Sequence, residues 1–291
     1  MLHGESHSNM VSYVPVISSI VILFIALTGA SSDVELWLRY NNRLTGRTHQ
    51  SARKLPPIET VKNAKIVGGR DAFIEDFPYQ LSLRRSGVHA CGASVISLRW
   101  ALSAAHCTHP APAANVLTLR GGSTNRLFGG IIYNVVQIAN HPRYSEYTME
   151  YDVSVLQTGT DMVGPSVAPV TLPPATSGFA PGTMANVTGW GLRSVPDTLP
   201  EILQWVDVPL ITMEQCRSSW PAEWITEDML CTGQPGRDTC GGDSGGPLVI
   251  NGYQMGIASW GVSDCTGSLP AIFANTANPT IRSFIQERAG V

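Results

Sequence analysis

The sequence predicts an all-β protein, an antiparallel barrel or sandwich that ends in a single helix. Three observations carry this. Short runs rich in β-branched and aromatic residues are separated by turn signals, one pair of runs is joined by Asn251-Gly252, and helical periodicity shows only near the C-terminus.

Taken in order, the first strand-type run is PYQLSL (78–83). SVISLRWALSAA (94–105) and IIYNVVQIA (131–139) follow. LVI and YQMGIASW then flank Asn251-Gly252, which reads as a tight hairpin because both central residues of such a turn need positive φ. In the last segment Asn278 can cap, Pro279 suits a first helical turn, and Ile281, Phe284 and Ile285 share one face. There is no internal repeat.

The chain has 291 residues, 43% of them hydrophobic, enough for a large core. All-β units reach about 200–250 residues as one domain, and the strand-rich texture begins sharply at NAKIVGG (63–69). Before it lie two different segments. Val14 to Ala26 is a long apolar run followed by small residues around Ala30, which reads as a signal peptide over 1–30. It is short for a spanning helix of about 20 residues. No Lys or Arg precedes it, and a start at Met10 would give a more compact signal. Residues 31–65 are polar and basic, with seven basic and three acidic side chains and a Pro pair at 56–57, and read as a flexible segment.

From residue 66 onward there are twelve arginines, eighteen acids and no lysine. An acidic body argues against a nucleic-acid partner. The six cysteines (91, 107, 216, 231, 240 and 265) imply three disulfides in a secreted chain, with fifteen pairings open. No CxxC pair occurs, so a zinc site is not expected; the reading calls for no other metal and no cofactor.

The stretch DTCGGDSGGP (238–247) places Ser244 among glycines. A Gly-x-Ser-x-Gly turn also fits the α/β-hydrolase elbow, in which the histidine base follows the serine. Here every histidine (3, 7, 49, 89, 106, 109 and 141) precedes it, so only an elbow with an upstream base survives. A serine hydroxyl needs such a base to become nucleophilic. His109 and His141 adjoin prolines in loops and His89 reads as part of a polar turn, whereas His106 sits in LSAAHC.

Six stretches in register, IVGG (66–69), LSAAHC (102–107), YDVSVL (151–156), TGWG (188–191), DTCGGDSGGPLV (238–249) and SWG (259–261), resemble the trypsin/chymotrypsin family of serine endopeptidases. The resemblance covers nearly all of 66–291. It implies two packed six-stranded antiparallel Greek-key barrels with a C-terminal helix. It also implies peptide-bond hydrolysis through an acyl-enzyme, with Ser244 as nucleophile, His106 as general base and acid, and Asp152 orienting the imidazole. The backbone amides of Gly242 and Ser244 would hold the oxyanion, and the glycines let them aim there. Asp238 matches the floor of the primary specificity pocket, which favours Arg or Lys before the cut. Ser259, Gly261 and Ala271 match its substrate-binding walls, Ala271 standing where the family usually has glycine, a methyl group that would crowd a guanidinium stem.

The resemblance further implies a zymogen: 31–65 is an activation propeptide, cleavage after Lys65 creates an α-ammonium on Ile66, and this pairs with buried Asp243. The implied disulfides are 91–107, 216–231 and 240–265. The family's calcium loop matches 119–130, which contains no acid, so calcium is not expected. A secreted, extracellular monomer acting on proteins or peptides is expected, with an activating protease as its other partner and no membrane attachment in the mature form. The alternatives are chymotrypsin-like or small-residue specificity, a membrane-retained protease, and an inactive homologue acting as a binding protein. Inactive homologues normally lose a triad residue, and all three are present. Asn186-Val187-Thr188 is a glycosylation sequon abutting a predicted strand.

Overall fold

The computed structural model describes residues 68–194, 197–262 and 264–291. The expected signal peptide, the activation segment, Lys65 and Ile66 lie outside the described residues. Among those described, no helix is long and apolar enough to cross a membrane.

Thirteen strands run along the described residues. They are β1 (Arg70–Asp71), β2 (Gln80–Arg85), β3 (Val88–Ser97), β4 (Trp100–Ser103), β5 (Leu117–Gly121), β6 (Ile131–Asn140) and β7 (Ser154–Thr158), then β8 (Met184–Gly189), β9 (Gln204–Pro209), β10 (Met229–Thr232), β11 (Pro247–Ile250), β12 (Tyr253–Trp260) and β13 (Ala271–Asn275). Two α-helices are described, α1 (Met213–Ser219) and α2 (Pro279–Ala289).

The first half closes into a six-stranded antiparallel barrel in the order β2-β3-β4-β7-β6-β5. Leu81, Leu83, Leu102, Leu119, Val155 and Leu156 fill it. The second half is a seven-stranded sheet in the order β1-β9-β8-β11-β12-β13-β10. The extra strand relative to the expected six is the two-residue β1, which lies along β9. The other edge curls back on the end of β9: Leu210 bridges Thr232, the Ile211 N–H donates to the Cys231 carbonyl at 3.1 Å, and the Gly233 N–H to the Pro209 carbonyl at 3.2 Å. The second unit is thus nearly a barrel, which hides edge groups that would otherwise be left to pair elsewhere.

The hairpin at 251–252 forms as its sequence dictates, with φ of 50° at Asn251 and 82° at Gly252. The Asn278 side chain caps α2 by accepting from the amides of Thr280 and Ile281. Ile281, Phe284 and Ile285 then pack onto the first barrel, so the last helix of the chain ties back to its first half. Sequence periodicity missed α1, which buries only Cys216 and has no apolar face to announce it. Its start is written instead in Thr212 and Gln215, a reciprocal capping box.

Buried polar contacts lock the halves together. The Ser94 hydroxyl donates to Gln254 Oε1 at 2.6 Å, and the Thr188 hydroxyl to Gln80 Oε1 at 2.6 Å. The Gly92 N–H donates to the Ser244 carbonyl at 2.8 Å. A Cβ on Gly92 would come within 2.8 Å of the Gly246 backbone, so only glycine lets β3 run so close to the serine turn. Three disulfides, Cys91–Cys107, Cys216–Cys231 and Cys240–Cys265, use every cysteine.

Candidate active site

The site lies where the two halves meet, and each half supplies part of it. His106 follows β4 and Asp152 precedes β7, strands that pair directly in the first barrel. That pairing brings residues 46 positions apart into double contact. The His106 Nδ1–H donates to Asp152 Oδ2 at 2.7 Å, and the His106 backbone N–H donates to Asp152 Oδ1 at 2.8 Å. Asp152 is wholly buried, so these bonds are what offset its desolvation. A third donor comes from the second half: the Ser259 hydroxyl reaches Asp152 Oδ2 at 2.5 Å. Ser259, expected among the substrate-binding residues, thus spends its hydroxyl on the acid.

Ser244 sits in the turn before β11, against the Cys91–Cys107 disulfide. Cys107 Sγ lies 3.7 Å from His106 Nε2 and 3.7 Å from the Ser244 carbonyl oxygen. Cys91, His106 and Cys107 cluster within 4.8 Å, the spacing of a metal site, but both sulfurs are tied in a disulfide and offer no thiolate.

The turn itself is tightly bent. Gly242 has φ of 99° and Gly245 of 79°, and a Cβ on Gly245 would strike the Ser103 hydroxyl and the Gly92 carbonyl. Among the described residues, no protein acceptor takes the N–H of Gly242 or of Ser244, which leaves two neighbouring amides free to bind an oxyanion. The chain around them is held by other bonds: Gly245 N–H to Ala258 carbonyl at 2.7 Å, Gly246 N–H to Asp243 carbonyl at 2.8 Å, and Asp243 N–H to Cys240 carbonyl at 3.0 Å.

His89 corrects the sequence reading. It lies in β3 rather than in a polar turn and is buried. Burial pulls its pKa down to about 4, so the ring is neutral at physiological pH. The Ser82 hydroxyl contacts Nδ1 at 2.7 Å, and Nε2 faces the Gly242 carbonyl at 3.1 Å. A neutral ring that donates through Nε2 and accepts at Nδ1 satisfies both contacts. His89 therefore pins the Gly242 peptide from 153 positions away, and no local pattern could have announced it.

Asp243 is fully buried beneath the turn. The Gly191 N–H donates to its Oδ1 at 2.8 Å and the Cys240 N–H to its Oδ2 at 3.0 Å. Burial nevertheless pushes its pKa up to about 7, against the pull of those two amides. A Cβ on Gly189 or Gly191 would run into this carboxylate, which explains both glycines of TGWG.

Asp238 is buried as well, and burial, reinforced by the charges of Asp243 and Asp264, drives its pKa to about 7 against two hydrogen bonds from Thr239. Its Oδ1 accepts the Thr239 N–H at 2.7 Å, while Oδ2 has no hydrogen-bond partner among the described residues. A buried carboxylate oxygen left without a donor calls for an explanation. The Cys240–Cys265 disulfide ties this segment to the chain carrying Gly261, and a Cβ on Gly261 would sit 3.8 Å from Ala271 Cα. Ala271 begins β13 and is 3% exposed.

Comparison with known proteins agrees with this geometry. The family model for trypsin matches residues 66–285. Trypsin alpha of Drosophila melanogaster is 37% identical over 231 residues, covering 78% of this chain and 88% of that protein. Trypsin of Phaedon cochleariae is 34% identical over 245 residues, covering 82% and 94%. Trypsin 5G1 of Aedes aegypti is 34% identical over 234 residues, covering 79% and 86%. With a closed barrel packed on a second, nearly closed sheet, and a match that runs through every part of the site, the chain belongs to the trypsin family and is a serine-type endopeptidase.

Proposed function

We propose that the protein is a secreted zymogen which, after cleavage behind Lys65, hydrolyses peptide bonds on the carboxyl side of basic residues. The observation that carries the specificity is the buried Asp238 carboxylate with an unpartnered Oδ2. A substrate ammonium or guanidinium would supply the missing charge in a poorly solvated slot, where such a pair is strong.

In this reading Ser244 attacks the scissile carbonyl while His106 takes its proton and later returns it to the leaving amine. The bonds from the His106 ring and backbone to Asp152 support that role, because they fix the tautomer with Nε2 available to the serine. The Ser259 hydroxyl helps hold Asp152 ionised as the imidazole becomes charged. The free amides of Gly242 and Ser244 stabilise the oxyanion, each such donor being worth about 10²–10³ in rate.

Activation follows from Asp243. Among the described residues this buried carboxylate has two amide donors and no counter-charge, and the α-ammonium released on Ile66 would provide one. Residues 1–30 act as the signal peptide and 31–65 as the propeptide; the activating protease is the one partner besides substrate, and the mature enzyme is an extracellular monomer. Cleavage profiling of the activated enzyme on a peptide library tests the specificity: cuts concentrate after Arg and Lys, and their absence there would end the basic-residue reading in favour of an apolar or small-residue one.

A further inference from the structure

Resting on the reading of Asp152 as the acid that orients His106, we propose that Asp228 is a positioning residue for the reaction: from the second half it takes the Tyr151 N–H and thereby fixes the backbone that aims the Asp152 carboxylate.

The backbone around Asp152 is sharply bent. Tyr151 has φ of 52°, in the left-handed region where a bulky side chain is a true outlier. The Val153 N–H donates to the Tyr151 carbonyl at 2.7 Å, which makes Asp152 the centre of a three-residue turn. Two successive bends set the direction in which the Asp152 side chain leaves the chain. Such a conformation persists only where its surroundings over-determine it.

Three contacts do so. Asp228 Oδ2 accepts the Tyr151 N–H at 2.6 Å, from 77 positions away and from the other half. The Tyr151 ring stacks on His141 with centroids 4.8 Å apart and planes 11° apart, and the Arg143 guanidinium lies over it at 4.1 Å. His141 in turn meets Phe284 of α2 at 4.8 Å. Of the three, only the hydrogen bond acts on the backbone that leads into Asp152, and a carboxylate acceptor makes it a strong one.

Asp228 is itself held still. It is 2% exposed. Its Oδ1 accepts the Thr226 hydroxyl at 2.7 Å, its carbonyl accepts the Asn275 N–H at 2.8 Å, and β10 begins at the next residue. Its two carboxylate oxygens are spent on Thr226 and Tyr151, so it acts on the site through the backbone rather than by touching a reacting atom. Burial this complete is costly for a carboxylate, and what it secures is the amide next to Asp152. The second half thus grips the acid twice, by the Ser259 hydroxyl on its carboxylate and by Asp228 on the preceding peptide.

The test compares activated wild type, Asp228→Ala, Asp228→Asn and Asp152→Asn by steady-state kinetics on one peptide that the wild type cleaves, and by the far-downfield proton resonance of the His106 Nδ1–H bond to Asp152. Asp228→Ala is expected to lower kcat about 10- to 100-fold, the cost of a small misplacement in a reacting constellation, with KM changed less than about twofold. Its downfield resonance should shift or broaden. Asp228→Asn keeps an oxygen for the Tyr151 N–H and should return kcat to within about threefold of wild type. If Asp228→Ala does not fold, Thr226→Val, which unties Oδ1, takes its place and should lower kcat about fivefold with the same change in the resonance. Wild-type kcat and an unmoved resonance in the folded variant, or an Asp228→Asn enzyme as impaired as Asp228→Ala, overturn the inference while the loss in Asp152→Asn leaves the role of Asp152 standing. Full activity in Asp152→Asn overturns both.

Discussion

Replacing Asp243 with Asn, in the precursor and in the chain cut after Lys65, separates the charge of this side chain from its shape. Burial lifts its pKa from 3.8 to about 7. At 1.36 kcal/mol per pH unit, keeping it ionised above neutrality costs the folded precursor about 4 kcal/mol. The folded state binds this proton more tightly than the unfolded state, so the contribution is fully present below about pH 4 and is lost as pH rises through about 7. Asp238 contributes with the same sign, its pKa also raised to about 7. His89, lowered to about 4, works in the opposite direction between that value and 6.5. Both residues stay in the variant, so the difference between wild type and D243N reports Asp243 together with its smaller charge coupling to Asp238. Asn keeps only one oxygen acceptor, which leaves the amide of Gly191 or Cys240 unmatched at about 1–3 kcal/mol. Near pH 8 gain and loss nearly offset, and the slope with pH becomes the diagnostic quantity. In urea unfolding from about pH 4 to about pH 8, the D243N precursor should lack about 4 kcal/mol of the decline seen in the wild-type precursor. The cut wild-type chain should lack it too, because the Ile66 ammonium then pairs with the carboxylate, and the cut D243N chain should be inactive. Parallel pH profiles for the two precursors, or full activity of cut D243N, would refute the reasoning.

Three other outcomes follow from contacts in the site. Asp152→Asn should leave the fold intact and lower kcat by about 10⁴, the loss known for the equivalent substitution in a peptidase of this family. Ser259→Ala removes one of three donors from a buried acid and should lower kcat about tenfold with KM little changed; steady-state kinetics on one peptide checks both variants. Asn186 lies in mid-strand with its Nδ2 bonded to Asp207 Oδ1 at 2.5 Å, so intact mass of the protein expressed in a glycosylating host should show no glycan there, and a glycan at that position would contradict this reading.

Much of the fold was legible because it rests on local chemistry. Asn251-Gly252 dictates its turn through φ, and Asn278-Pro279 dictates where the last helix begins. The candidate serine, histidine and aspartate were singled out by motif. What stayed hidden depends on partners far apart in the chain. His89 looks like a loop histidine until the Gly242 carbonyl is placed above it, and Ser259 looks like a pocket residue until its hydroxyl is seen on Asp152, 107 positions away. The glycines of TGWG matched a motif in the sequence, but their physical reason, a carboxylate filling the space where a Cβ would go, appears only when Asp243 is in position. Helix α1 was missed because a seven-residue helix that buries one cysteine has no hydrophobic period to read.

The central assignment is that one hydroxyl, activated by His106, carries the acyl group during peptide cleavage. Treating the activated enzyme with a fluorophosphonate and mapping the adduct by peptide mass spectrometry tests it most directly. A single phosphonyl group on Ser244, gained in step with loss of peptidase activity and absent in His106→Ala, is the predicted result. Labelling at another residue, or peptide hydrolysis at the parent rate by Ser244→Ala, would contradict it.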